Sequence, residues 1–190
     1  MRRALSWYLI CLALPVLGCS GTVNYYTLQP SVEAEAFQAQ GVGPSVEVRQ
    51  ANFPPYLNNP QMVTRLSSGE ILVHEYQRWV EDLQGDFQRV FVQDLANQLK
   101  SSQVFTSGTA NINPAKLVQI EVQRFDLSED GVANLTARWT VSQPTAPEGT
   151  ISGVSVFEEP HVAQSPEARV RALSLLVDRL AEVVRKAILP

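Results

Sequence analysis

Apolar side chains recur at two different spacings along this chain. Between about 81 and 100, Leu83, Phe87, Val90, Phe91, Leu95 and Leu99 fall on one stripe of a 3.6-residue repeat, with Gln84, Asp86, Gln88, Arg89, Gln93 and Asn97 opposite. Gly85 is a weak point in the first turn of this predicted helix. A second stripe runs through Val170, Leu173, Leu176, Val177, Leu180, Val184 and Ile188. Its helix opens at Ser165-Pro166-Glu167, an N-cap followed by a proline at the first helical position and an early acid, and it runs to about Leu189. Arg185 and Lys186 in its last turns suit the helix dipole.

The other spacing is close to two, as in half-buried strands. It marks 45–50, 116–125 and 135–141, where Leu135, Ala137, Trp139 and Val141 alternate with polar neighbours. Short strands are predicted at 25–28, 103–106 and 151–157. The runs 62–66 and 70–76 flank Ser67-Ser68-Gly69 and read as a hairpin. Asp130-Gly131 marks a turn between two long strands, and 143–149 reads as a Pro-rich loop. Strands, a helix, more strands and a last helix imply an α+β fold. Two one-faced helices need one sheet face, so the expectation is a two-layer sandwich with a mixed, mostly antiparallel sheet.

The first residues belong to neither pattern. Arg2-Arg3 precedes an apolar run to Leu17, too short for a spanning helix of roughly 20 residues. The run ends in Val16-Leu17-Gly18-Cys19, which resembles a lipobox: a small Gly18 before a Cys19 that would carry acyl chains and become the first residue after cleavage. On this reading 1–18 is a signal peptide, 19–24 a lipidated tether and 25–190 one domain. Ser20, where an Asp would favour the inner membrane, points toward the outer membrane.

Removal of 18 of the 190 residues leaves 172, with 13 basic and 19 acidic side chains and a net charge of −6. That balance excludes a nucleic-acid partner, which needs a basic footprint. Cys11 would leave with the signal and Cys19 would carry lipid, so no thiol remains for a disulfide or a metal. The two histidines, His74 and His161, stand far apart, and Glu158-Glu159-Pro160-His161 reads as a hydrated acidic loop rather than a metal site. No phosphate-binding glycine loop, nucleophile elbow or zinc signature occurs. The chain reads as non-enzymatic, with no cofactor.

The middle of the chain is unusual. The segment 53–65, Phe-Pro-Pro-Tyr-Leu-Asn-Asn-Pro-Gln-Met-Val-Thr-Arg, combines rigid prolines with aromatic side chains. Two readings are open. Pro55, Tyr56, Leu57, Pro60 and Gln61 shape an interaction surface, or Tyr56 and Leu57 plug the edge of the core. Trp79 reads as a core anchor at the helix entrance, and Arg65 as a partner for Glu81 or another carboxylate.

Tyr25-Tyr26-Thr27-Leu28, the pattern Pro55-Tyr56-Leu57…Pro60-Gln61…Val63…Arg65, and Arg78-Trp79…Glu81…Leu83 together resemble the ABC-type transport auxiliary lipoprotein family, the PqiC/YmbA group. Asn59 stands where the common form has Arg, and Asp82 where it has Pro. The resemblance spans nearly the whole mature chain. It implies a small fold similar to the N-terminal domain of TolB-type proteins. It also implies a periplasm-facing lipoprotein that works beside MCE-domain membrane proteins, whose tunnels move lipid or other hydrophobic molecules between the membranes of Gram-negative bacteria. Assembly into a homo-oligomer, as rings in some members, is a further implication, and nothing in the sequence shows it independently.

Overall fold

The computed structural model describes residues 21–31, 43–108, 113–160 and 165–189. Gly18, Cys19 and His161 lie outside the described residues. In chain order the elements are β1 (Asn24–Tyr26), β2 (Val46–Val48), a 3-10 turn (Pro55–Leu57), β3 (Gln61–Arg65), β4 (Ile71–Trp79), α1 (Leu83–Leu99), β5 (Val104–Thr106), β6 (Lys116–Ser128), β7 (Val132–Gln143), β8 (Ala146–Pro160) and α2 (Pro166–Ile188).

The eight strands form one mixed sheet. Its spine is β6, whose 13 residues give it room for two partners on one edge. There β2 pairs parallel with its first residues, Val46 opposite Lys116, and β3 pairs parallel with its last, Thr64 opposite Leu127. On the opposite edge β6 pairs antiparallel with β7, which pairs antiparallel with β8. Beyond β3 lies β4, antiparallel, and beyond it β1, parallel; β5 lies outside β2. The result is the α+β mixed sheet with two helices expected from the alternation. The polar positions Arg138 and Glu121, opposite one another on β7 and β6, stay outside the core as a loose 3.7 Å ion pair.

The core lies between sheet and helices. Phe87 and Phe91 of α1 stack at 6.2 Å, and Phe87 meets Phe125 of β6 edge-on at 5.4 Å. From α2, Leu173, Leu176, Val177, Leu180 and Val184 are buried with them. Both helices start on a side-chain cap. Ser165 Oγ accepts from Ala168 N, and Asp82 Oδ1 accepts from Gly85 N at 2.8 Å. Gly85 is therefore not a weakness: a Cβ there would stand 2.9 Å from Asp82 Oδ2, so glycine lets the cap close. Gly131, at φ +81°, supplies the left-handed turn between β6 and β7.

Two expectations need correction. The predicted loop at 143–149 is a tight turn. Gln143 pairs with Ala146, only Pro144 and Thr145 lie between them, and β8 runs 15 residues from Ala146. The prolines suggested a loop, but Pro144 needs no N–H in a turn, and Pro147 lies in β8, which among the described residues has only β7 as a partner. The second correction concerns the polar side of α1. Asp86, Gln88 and Asp94 are buried rather than solvated.

Candidate functional site: a docking groove beside the entrance to the first helix

The Pro-rich segment is fixed from its inner side. Pro54 and Pro55 pre-set the backbone for a single 3-10 turn, closed by Leu57 N donating to Pro54 O at 3.0 Å. Leu57, 3% exposed, enters the core. Phe53 packs edge-on against Phe87 at 5.2 Å. The Tyr56 hydroxyl donates to Asp126 Oδ2 at 3.1 Å, and the Arg65 guanidinium lies 5.0 Å from the centre of the Tyr56 ring. Arg65 Nε donates to the same Asp126 oxygen at 2.9 Å, and Arg124 Nε donates to the other at 2.7 Å. Asp126 is fully buried, and these charge-assisted contacts offset the cost of burying it. Burial, and then the charge of Asp126, hold the Tyr56 phenol above its ordinary pKa, so it remains a donor.

The outer side of the same segment forms one wall of a groove of about 500 Å³. Leu57 to Pro60 make that wall, and Trp79 to Gln84 make the other. Trp79 N donates to Pro60 O at 2.8 Å and ties the walls together. Asn59 Oδ1 accepts from Gln61 N at 3.2 Å, which braces the turn into β3. Pro60, Val80, Glu81 and Asp82 are exposed, so the rim combines rigid apolar surface with two carboxylates at the start of α1. Such a rim can bind a loop or extended segment with little loss of its own freedom, and its charge favours basic or amide-rich partners.

The candidate residues thus divide. Pro55 and Pro60 are outward; Gln61 is half-buried in β3 opposite Arg78. Tyr56 and Leu57 plug the core edge, and of the two Leu57 lines the groove. Arg65 pairs with Asp126, not with Glu81. Trp79 is 5% exposed at the end of β4, and Arg78 Nε reaches only the Glu75 carbonyl, at 3.3 Å. Arg124 and Asp126 were missed. The signal for them was an Asp between Phe125 and Leu127 in an apolar strand, two residues after an Arg.

A second set of polar contacts holds the chain that leads in from the N-terminal side. Asp86 Oδ2 accepts from Leu28 N at 2.6 Å, and both its oxygens lie within 3.1 Å of the Thr27 hydroxyl. Arg89 pairs with Asp86 and donates to Leu28 O at 2.9 Å. Two turns further along α1, Asp94 Oδ1 accepts from Ser31 N at 2.7 Å and from Ser31 Oγ at 2.9 Å. Asp94 Oδ2 has no partner among the described residues. Burial pushes the Asp94 carboxyl up to about 6. On the other flank of α1, Gln88 Oε1 accepts from Ala51 N at 3.0 Å.

Two crystal structures have similar folds. One, of an uncharacterized protein, aligns with 88% of this chain and 99% of its own, with a TM-score of 0.71 and 17% identity. The other, XCC0632 from Xanthomonas campestris, aligns with 88% and 95%, with a TM-score of 0.66 and 14% identity. No curated protein sequence matches this one significantly. At these identities the two structures speak for the fold alone. The family model for the ABC-type transport auxiliary lipoprotein component matches residues 26–184, from β1 nearly to the end of α2 and across both walls of the groove, and the chain belongs to that family.

Proposed function

We propose that this protein is a non-catalytic docking subunit, held by acyl chains on Cys19 at the outer membrane, whose groove beside α1 receives an MCE-domain partner in an envelope transport system for lipid or other hydrophobic molecules. One observation carries the reading. Five residues of the family's sequence pattern, Leu57, Pro60, Trp79, Glu81 and Leu83, line the groove, and two more, Tyr56 and Arg65, brace its wall from below through Asp126. A rim braced from below by a buried Asp126 and two arginines suits recognition of a partner. The same residues offer no nucleophile paired with a base. Among the described residues no helix is long and apolar enough to cross a membrane, and in this reading the acyl chains on Cys19 hold the protein there.

A lipid carrier would need room between sheet and helices. One space there, lined by Leu57, Met62, Phe125 and Leu173, amounts to about 10 Å³, around the lower limit for a single water, while a cleft of about 470 Å³ lies between residues 25–31 and α2. The packed core favours the docking reading over a carrier that holds lipid inside it.

Photo-crosslinking in cells tests the proposal. A photoreactive side chain at Pro60 or Glu81 is expected to capture the MCE-domain subunit, and one at Arg138, on the far side of the sheet, is not. Equal capture from all three positions would overturn the assignment of the groove. So would capture from none of them with the lipoprotein intact on the membrane.

A further inference from the structure

The edge of the sheet nearest the N-terminus is apolar in a way the core does not explain. β1 covers Gln77–Trp79 of β4, and the outer edge of β4 from Ile71 to Tyr76 has no strand partner among the described residues. Tyr25, Leu72 and Tyr76 stand 61, 45 and 48% exposed along this edge. Exposed apolar side chains on an open strand edge are a liability in water and call for a cover.

What covers them follows from where the chain goes. A Cβ on Gly21 would lie 2.5 Å from the Tyr76 ring, so the backbone at Gly21 runs directly against this patch. Cys19 is two residues earlier. Two residues span at most about 7 Å, so a lipid-bearing Cys19 cannot sit further than that from Gly21. Acyl chains in the bilayer therefore bring the patch to the membrane surface, with no long tether to hold it away. Tyrosines are the residues that favour the boundary between headgroups and hydrocarbon, with an apolar ring and a polar tip.

We infer that the β1–β4 edge, through Tyr25, Leu72 and Tyr76, is a membrane-contact surface that seats the domain at headgroup level beside its own anchor. At that depth the open N–H and C=O groups of β4 keep water as their partner, as they could not in hydrocarbon. Glu70, Glu75 and Arg78 lie along the same strand or its turn and remain among the headgroups. The mature chain is acidic, so the contact is apolar and not an attraction to anionic lipid. It should therefore survive high salt.

The inference rests on Cys19 carrying the acyl chains, and the experiment separates the two. The mature sequence has no other thiol, so a single cysteine can be labelled specifically. Lipidated protein with Leu72→Cys, Tyr76→Cys or Val156→Cys, each carrying a polarity-sensitive fluorophore, is reconstituted into phosphatidylethanolamine-rich vesicles. Mass spectrometry of the N-terminal peptide reads acylation in the same samples. Labels at 72 and 76 are expected to be quenched several-fold more by nitroxide-bearing lipid than the label at 156, at low and high salt alike. Acylated protein with equal quenching at all three positions overturns the membrane surface and leaves the anchor standing. Labels at 72 and 76 shielded from both lipid and aqueous quenchers would also overturn it, since a second copy or another protein would then be the cover. Quenching at 72 and 76 in protein with no acyl chain would sink the anchor while the surface remained.

Discussion

The two helices look alike in sequence and are used differently. α2 presents an apolar stripe to the core, and Ser174 is the only polar side chain it buries among the described residues. Its outer face carries the exposed Glu182–Lys186 pair at 2.7 Å. α1 has an equally regular stripe, yet its other faces are covered too. Asp86 and Asp94 hold residues 27–31, and Gln88 holds Ala51. α2 also holds other segments, Ser174 accepting from Gln29 N at 3.1 Å and Arg169 donating to Gln77 at 3.1 Å, but none of its carboxylates is buried among the described residues. α1 buries two carboxylates and uses both as clasps on another part of the chain. A 3.6-residue period reports which face is apolar and says nothing about what lies against the rest.

That contrast can be broken most severely at Asp86. Asp86→Ala leaves the buried Leu28 N–H without an acceptor and Arg89 without its partner, and is expected to lower stability by about 2–3 kcal/mol in urea unfolding. A change near zero would mean that Asp86 is solvated after all. A smaller effect is expected at Asp94, and it is read in pH. Its carboxyl titrates at about 6 in the folded chain against 3.8 as its ordinary value, with burial as the main cause and Asp178 adding to it. The native state therefore binds this proton more tightly than the unfolded chain between those limits. Stability from this group is gained as pH falls from about 7 to 4 and lost as pH rises through 6. Asp94→Asn should flatten that part of the profile, and an unchanged profile would discard the assignment. Least of all is expected from α2. Glu182→Gln removes one end of an exposed pair and should leave the urea midpoint where it was. A clear loss there would erase the distinction between the helices.

Much of this was legible in the residues. Alternation at 116–125 and 135–141 marked the two strands at the centre of the sheet, and Ser165-Pro166 marked the start of α2. The family pattern at 55–65 and 78–83 marked both walls of the groove. What escaped depended on distance along the chain. Asp86 meets Thr27 across 59 residues, and Asp126 meets Tyr56 across 70. Arg89 and Arg124 stand one turn and one pleat from these aspartates, but nothing that near signals the distant partner. The Pro144-Thr145 turn escaped for a local reason: a proline that ends a strand and one inside a two-residue turn look the same in sequence.

The clasp on α1 also determines how a pull is carried. A force on the chain at Gly21 runs first into β1, which lies parallel to β4, with Asn24, Tyr25 and Tyr26 beside Gln77, Arg78 and Trp79. Drawn along its own axis, such a strand loads its rungs together instead of one after another. What passes β1 arrives at Thr27 and Leu28 and is handed by Asp86 to the middle of the core. The domain is gripped by a buried helix rather than by a loose end, so a pull at Gly21 would tilt the whole body before it peeled the first strand away.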